Sequence, residues 1–199
     1  IIAIGGGCVM DLAKVSSVIS GYKNIKKKVL NSDFDNSKTK VIAIPTTAGS
    51  GAESTSNAVM YINKIKHSVE GKEIRPDYFY LFPELILSSQ KKIDASSGFD
   101  AISQAIESIF SLKSNKQSIF FATNALKILV KNYLLFCKSK NINNSYKMQL
   151  GANLAGKAID ISKTIAPHAI SYPFTSMYGV PHGHAVSLSL NQILKFNYF

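Results

Sequence analysis

Three of the four histidines, His168, His182 and His184, lie close together near one end of the chain. Far upstream, Asp100 and Gln104 stand four positions apart in a segment of helical periodicity. Side chains at that spacing leave the same face of a helix. The apolar residues around them predict that this face is covered, and a buried carboxylate needs a partner or a cation. Asp100, His168 and His182 together offer one carboxylate and two imidazoles, a set suited to a divalent transition ion that keeps open positions for a substrate. Spacing alone leaves core and surface roles open for each histidine. His184 is placed either against a substrate or at the start of a helix.

A second kind of chemistry is written near the opposite end. Gly5-Gly6-Gly7-Cys8 follows the apolar run Ile1–Ile4 and opens an amphipathic stretch. A backbone without side chains that leads into a helix N-terminus can cradle a pyrophosphate, although glycine triplets also make plain tight turns. The segment from Pro45 to Glu53, with Thr46, Thr47, Gly49, Ser50 and Gly51, also leaves an apolar run. Ligands of α/β sheets bind outside the carboxyl ends of strands, so two such loops on successive strands are expected to face one crevice.

The elements needed to position these groups fall into two regimes. Up to about residue 92, β-branched runs alternate with Gly- and Pro-marked turns: strands are expected at Ile1–Ile4, Val41–Ile44, Val59–Ile62 and Tyr78–Phe82, with a helix at Val9–Ser20. From about residue 93, helices are expected at Phe99–Leu112, Gln117–Lys138, Tyr146–Thr164, His168–Tyr178 and His184–Phe196. The expected architecture is therefore α/β plus all-α: a partial Rossmann-like domain over 1–92 and a partial helical, metal-binding domain over 93–199. Leu30–Lys40 and Lys138–Ser145 are expected as polar loops.

Composition excludes other classes. A net charge of +11 invites a nucleic-acid partner, but only Arg75 among the 23 basic residues is an arginine, and the lysines lack interleaved aromatics; a lysine-rich solvated surface is the expectation. No apolar run approaches the roughly 18 uninterrupted residues of a membrane helix, since Asn124, Lys127, Lys131 and Asn132 interrupt the richest stretch, so no membrane partner is expected. Cys8 and Cys137 form no metal or disulfide spacing, which suits a reducing cytoplasm. The first residues read as a strand already in progress, so the chain is expected to begin within a domain.

Taken in order, Gly5-Gly6-Gly7-x-x-x-Asp11-x-Ala13-Lys14, Pro45-Thr46-Thr47-Ala48-Gly49-Ser50-Gly51-x-Glu53, Gly98-x-Asp100-Ala101-x-x-x-Ala105-x-Glu107, His168 and Pro181-His182-Gly183 resemble the iron-containing alcohol dehydrogenases across essentially the whole chain. The resemblance implies the dehydroquinate synthase-like fold, a fragment lacking both ends of the family's length, and an active site in a cleft between the two domains. It implies NAD or NADP on Gly5, Gly6, Gly7, Asp11, Thr46, Thr47 and Lys66, and a divalent metal, Fe(II) or Zn(II), on Asp100, His168 and His182. It also implies hydride exchange with a small aldehyde or alcohol, and a homodimer.

Two positions depart from the pattern. Gln104 stands where many members carry a histidine, which leaves it as a fourth, weaker ligand, a group behind the ligands, or a substrate contact. Tyr172 replaces a second histidine near the nicotinamide, as a proton relay or a packed aromatic. With these variants the chain is most similar to the branch that includes phosphonoacetaldehyde reductases. Two other outcomes stay open: a dehydroquinate synthase-like reaction on a sugar-phosphate, and a non-catalytic remnant acting as a binding module.

Overall fold

Alternating inward and outward residues organise the first part of the chain around a short parallel sheet. In order its elements are β1 (Ile2–Gly5), α1 (Gly7–Ile19), α2 (Ile25–Asn31), β2 (Ile42–Pro45), β3 (Asn57–Ile62), β4 (Ile65–Glu70) and β5 (Tyr78–Phe79). β2 is central, with β1 and β5 parallel on either side, and Ile2 lies opposite Ile42 and Gly5 opposite Pro45. Ala3 and Ala43 point inward with Val41, Ala52 and the Met10 and Ala13 side chains of α1, while Ile2 and Ile4 point outward and are exposed. The small inward residues let the helix lie close to the sheet. β3 and β4 form an antiparallel pair, whose Ala58 and Val69 share a core with Val15 and Val18 of α1, Val29 of α2 and Ile74. The computed structural model describes residues 1–19, 24–32, 34, 39–62 and 65–198.

The remaining elements are α3 (Lys91–Phe110), α4 (Lys116–Lys138), α5 (Ile142–Ser162), α6 (Ala166–Tyr178) and α7 (His182–Tyr198). The chain divides into two compact units, Ile1–Thr46 with Ala52–Leu81 and Thr47–Gly51 with Phe82–Phe199. Small residues set how closely α3, α4 and α5 approach: Ala101, Ala105, Ala122, Ala125, Ala152, Ala155 and Ala158 are all buried in one core with Leu129, Phe136 and Met148. A β-carbon on Gly98 would meet Tyr133 at 2.9 Å and Met148 at 3.0 Å, and one on Gly151 would meet Leu129 at 2.6 Å. The helices are therefore closer than any larger side chain would permit.

Several boundaries differ from the sequence expectation. α3 begins at Lys91, not Phe99, because Ser96, Ser97 and Gly98 are not breakers here but the small residues of a packed helix face. α5 begins at Ile142, not Tyr146. The asparagines expected as a loop cap it instead: the Asn141 side chain accepts from the Asn144 backbone at 3.0 Å while the Asn144 side chain accepts from the Asn141 backbone at 2.9 Å. α2 and β4 were not anticipated; β4 carries lysine, histidine and glutamate beside the buried Val69. β5 is shorter than Tyr78–Phe82, since Pro83 opens a short 3-10 turn and cannot donate to a ladder. Ser20 and part of the Leu30–Lys40 loop lie outside the described residues.

α4 meets the length and apolar composition of a membrane span despite the interruptions noted above. Its Ala122, Ala125, Leu129 and Phe136 are nevertheless spent on the core with α3 and α5. A buried ion pair ties the ends of these helices together. The Lys140 ammonium donates to Asp94 Oδ2 at 2.6 Å, to the Ser89 carbonyl at 2.7 Å and to Ser89 Oγ at 2.8 Å, and Ser89 Oγ donates to the other Asp94 oxygen. Asp94 also sits in the first turn of α3, where the helix dipole favours an anion.

Removing the cation would strand the buried Asp94 carboxylate, a situation that typically costs about 3–5 kcal/mol. Lys140→Met should therefore lower the unfolding free energy of the intact protein, measured by urea titration, by about 3–5 kcal/mol, and Asp94→Asn combined with Lys140→Met should recover part of the loss.

Candidate functional site

In the first unit the glycine loop is built by close packing. A β-carbon on Gly5 would lie 2.6 Å from Val9, so α1 can start directly off the strand only with glycine there. The Gly6 carbonyl accepts from Val9 and Met10 at 3.0 and 3.1 Å, which puts the amides of Gly7 and Cys8 ahead of the first intrahelical acceptor, at the positive end of a 13-residue helix. The Thr46 amide donates to the Gly5 carbonyl at 2.8 Å, so the carboxyl ends of β1 and β2 stand side by side.

The rest of that motif holds the scaffold. Lys14 is fully buried, and its ammonium donates to Thr55 Oγ1 and to the Asn57 carbonyl, each at 2.8 Å. Asp11 Oδ2 accepts from the Val59 amide at 2.9 Å, and Oδ1 lies 3.5 Å from the Lys14 ammonium. Asp11, expected at the cofactor, thus fastens α1 to β3 within its own unit. Burial pushes the Asp11 carboxyl up, opposed by Lys14, by the Val59 hydrogen bond and by Lys66. Lys66, on β4, is pulled down to about 8 by burial, with Asp11 opposing.

The loop that follows β2 belongs to the helical unit from Thr47 onward. Its glycines are required by neighbouring backbone: a β-carbon on Gly49 would meet Ser97 at 2.7 Å, and Gly51, at φ +59°, would meet the Ala152 carbonyl at 2.6 Å. Ala48 is buried in the core between them.

In the helical unit, α3 presents Asp100, Gln104 and Glu107 on one face, all buried. α6 begins with Pro167 in its first turn, where a missing N–H costs nothing, and places His168 immediately after it. Gly179, in the left-handed region at φ +67°, ends α6. α7 then starts at His182 and packs against both α6 and α3. Gly183 makes that contact possible: a β-carbon there would fall 1.9 Å from the Ser96 carbonyl and 3.0 Å from the Asp100 side chain.

These elements bring Asp100, His168 and His182 together, with their donor atoms all within 4.8 Å of one another. His168 Nε2 lies 3.3 Å, and His182 Nε2 3.8 Å, from Asp100 Oδ1. Asp100 Oδ1 and His168 Nε2 are buried, yet neither has a hydrogen-bond partner. Buried polar atoms are seldom left so, and a cation held among the three residues accounts for both. Burial works to raise the Asp100 carboxyl, but the close approach of His168 and the charges of His182 and His168 hold it below the usual carboxylate range. Burial depresses His168, but Asp100 and Glu107 on either side push it up to about 9.

Gln104 donates from Nε2 to Asp100 Oδ2 at 3.2 Å, and its Oε1 is buried without a hydrogen-bond partner. The Tyr172 ring stacks on His182 at 6.2 Å between centroids. His184 is exposed, and its carbonyl accepts from Ser187 Oγ. Sequence reasoning gave no role to Glu107, Ser171 or Lys14. For Glu107 the available signal was its place seven residues after Asp100, on the same helix face.

A parallel-sheet unit with a glycine loop and a helical unit with a carboxylate–imidazole cluster define a two-part α/β and all-α architecture. A family model described as iron-containing alcohol dehydrogenase matches residues 1–83, and one described as Fe-containing alcohol dehydrogenase family, C-terminal, matches residues 94–199. The chain belongs to the iron-containing alcohol dehydrogenase family. It is 31% identical to phosphonoacetaldehyde reductase of Streptomyces viridochromogenes, over 99% of this chain and 53% of that protein. It is also 31% identical to 4-hydroxybutyrate dehydrogenase of Clostridium kluyveri, over 100% of this chain and 54% of that protein. The crystal structure of sulfoacetaldehyde reductase from Bifidobacterium kashiwanohense in complex with NAD+ matches with a TM-score of 0.93 at 32% identity, covering 98% of this chain and 54% of that one. The chain therefore spans about half the length of the relatives it matches.

If Gly183 sets the distance between α7 and Asp100, Gly183→Ala should weaken divalent-metal binding about tenfold or more, the equivalent of an overpacking cost of about 1–3 kcal/mol. Equilibrium dialysis of the intact protein with Zn(II) measures this; unchanged affinity would show that the helix contact does not position His182.

Proposed function

We propose that the protein is a metal-dependent oxidoreductase that transfers hydride between NAD(P)H and a small aldehyde or alcohol. The observation that carries this is the convergence of Asp100, His168 and His182, two of whose buried donor atoms lack any hydrogen bond. Those three residues would hold the ion, with Gln104 steadying Asp100 from behind through its amide N–H. A bound Fe(II) or Zn(II) would supply Lewis acidity toward an aldehyde oxygen.

In this proposal residues 1–92 form the cofactor half and 93–199 the metal-holding half. Gly5, Gly6 and Gly7 would take the pyrophosphate against the amides that open α1, with Thr46 and Thr47 lining the site and Lys66 contacting the nicotinamide ribose. Asp11 would act there by keeping α1 on β3 and by setting the charge around Lys66. Tyr172, stacked on His182, would deliver a proton from its hydroxyl to the oxygen that becomes the alcohol. An ordinary tyrosine, with a pKa of about 10, needs a nearby cation to do this at neutral pH. The phosphonoacetaldehyde and sulfoacetaldehyde reductases among the relatives favour small aldehydes bearing an anionic group as first substrates.

Metal-loaded intact protein should oxidise NADH or NADPH with one member of a panel of phosphonoacetaldehyde, sulfoacetaldehyde, succinic semialdehyde and propanal, and His182→Ala should abolish turnover. Failure on the whole panel, in protein shown to bind both metal and dinucleotide, would sink aldehyde reduction. Lys66 adds a pH test. It is charged below about 8, so dinucleotide affinity should be full at lower pH and fall as pH rises through that value. Lys66→Gln should bind more weakly with no such fall, whereas a flat wild-type profile between about pH 7 and 9 would remove Lys66 from the site.

A further inference from the structure

Glu107 is completely buried, and nothing in the proposed reaction uses it. Its surroundings are specific. Oε2 faces the backbone amides of Ile165 at 2.8 Å and of His168 at 3.5 Å, and Oε1 lies 2.5 Å from His168 Nδ1. Backbone amides only donate, so Oε2 must accept, as an ionised carboxylate does with both oxygens. The natural third partner is a proton on His168 Nδ1. A neutral imidazole carries one N–H, so a proton on Nδ1 leaves the lone pair on Nε2, the atom that looks toward Asp100 Oδ1.

His182 is held by the same logic with a neutral group. Ser171 is fully buried, and its hydroxyl donates to the His168 carbonyl at 2.7 Å. Its single proton is thereby used, so toward His182 Nδ1, at 3.4 Å, it can only accept. That places the His182 proton on Nδ1 and its lone pair on Nε2, the atom nearer to Asp100. The far oxygen of Asp100 is in turn held by Gln104. Each of the three converging residues thus has one side occupied by a buried partner.

We infer that Glu107 is a positioning residue for the metal centre: it holds His168 as the Nδ1–H tautomer with Nε2 free to ligate, and it supplies the second buried negative charge that matches a divalent ion. Ser171 does the first of these jobs for His182. The inference rests on the metal-holding role proposed for Asp100, His168 and His182. Two carboxylates, two neutral imidazoles and one divalent cation sum to zero charge, which a low-dielectric site favours. Partners behind metal-binding histidines commonly act in this way, and their loss typically costs about 10–100-fold in metal affinity.

The test uses Zn(II) binding by the intact protein, measured by competition with a chromophoric chelator, for wild type, Glu107→Gln, Ser171→Ala and Asp100→Asn. Glu107→Gln preserves size but removes the charge and sets an amide N–H₂ against donors. It should bind zinc about 10–100-fold more weakly than wild type, while Asp100→Asn should lose binding almost entirely. In the zinc-loaded wild-type protein the His168 Nδ1–H proton should give a low-field NMR resonance coupled to its nitrogen, and in Glu107→Gln this resonance should move upfield. A role confined to packing would leave that signal in place. Wild-type affinity in a folded Glu107→Gln would overturn the inference. If Glu107→Gln does not fold, Ser171→Ala decides: weakened binding supports the positioning ring, and unchanged binding overturns it. Wild-type protein that binds no divalent metal would instead remove the underlying metal role, and the inference with it.

Discussion

A carboxylate placed between packed helices is expensive, and the helical unit is arranged around that expense. Asp100 lies on the face of α3 that meets α6 and α7, while Ala101 and Ala105 pack the other side of the helix against α4 and α5, and its carboxylate is buried. Its two oxygens are treated differently. One is satisfied by Gln104 from its own helix, and the other is left facing two imidazole nitrogens from α6 and α7. The need to bring positive or metal-binding groups to that second oxygen fixes where α6 must begin and how near α7 must come. Glu107 reaches the opening amides of α6 and the His168 ring together, so a single side chain anchors the helix start and aims its histidine. Gly183 then removes the one atom that would hold α7 away.

Much of the architecture was legible in the sequence because it rests on local signals. Apolar runs ending in small residues marked β1 and β2, and helical periodicity marked the cores of α4 and α6. The boundaries that were missed depend on partners elsewhere in the chain. Ser96, Ser97 and Gly98 look like a break until Tyr133 and Met148 supply the surface on which a small-residue helix is favourable. Asn141 and Asn144 look like a loop until their reciprocal hydrogen bonds make them a helix cap. β4 hides because Lys66, His67, Ser68 and Glu70 surround the buried Val69, which erases the apolar–polar alternation that marks a half-buried strand.

The candidate site divides along the same line. Asp100, His168 and His182 carry side chains whose chemistry is conspicuous, and a cluster of histidines is visible without knowing the fold. Glu107 and Ser171 carry no such mark. Glu107 meets His168 across 61 positions of chain, and its meaning exists only once α3 and α6 are packed. Lys14 is a similar case: nothing in the motif marks its role, and only its full burial against Thr55 and Asn57 makes it a structural cation.

Glycine shows most clearly why a motif is not a list of ligand contacts. Gly5 is required because Val9 of the following helix lies where a side chain would go, Gly51 because of the Ala152 carbonyl and a positive φ, and Gly183 because of the Ser96 carbonyl. At Gly51 and Gly183 the missing side chain brings two backbones together, and at Gly5 it makes room for the Val9 side chain; only as a result does a loop or a donor atom reach its place. A motif that spans both kinds of residue therefore joins two constraints, one on chemistry and one on approach. The second is what Gly183 meets: without it at the contact with α3, His182 would keep its chemistry and lose its position.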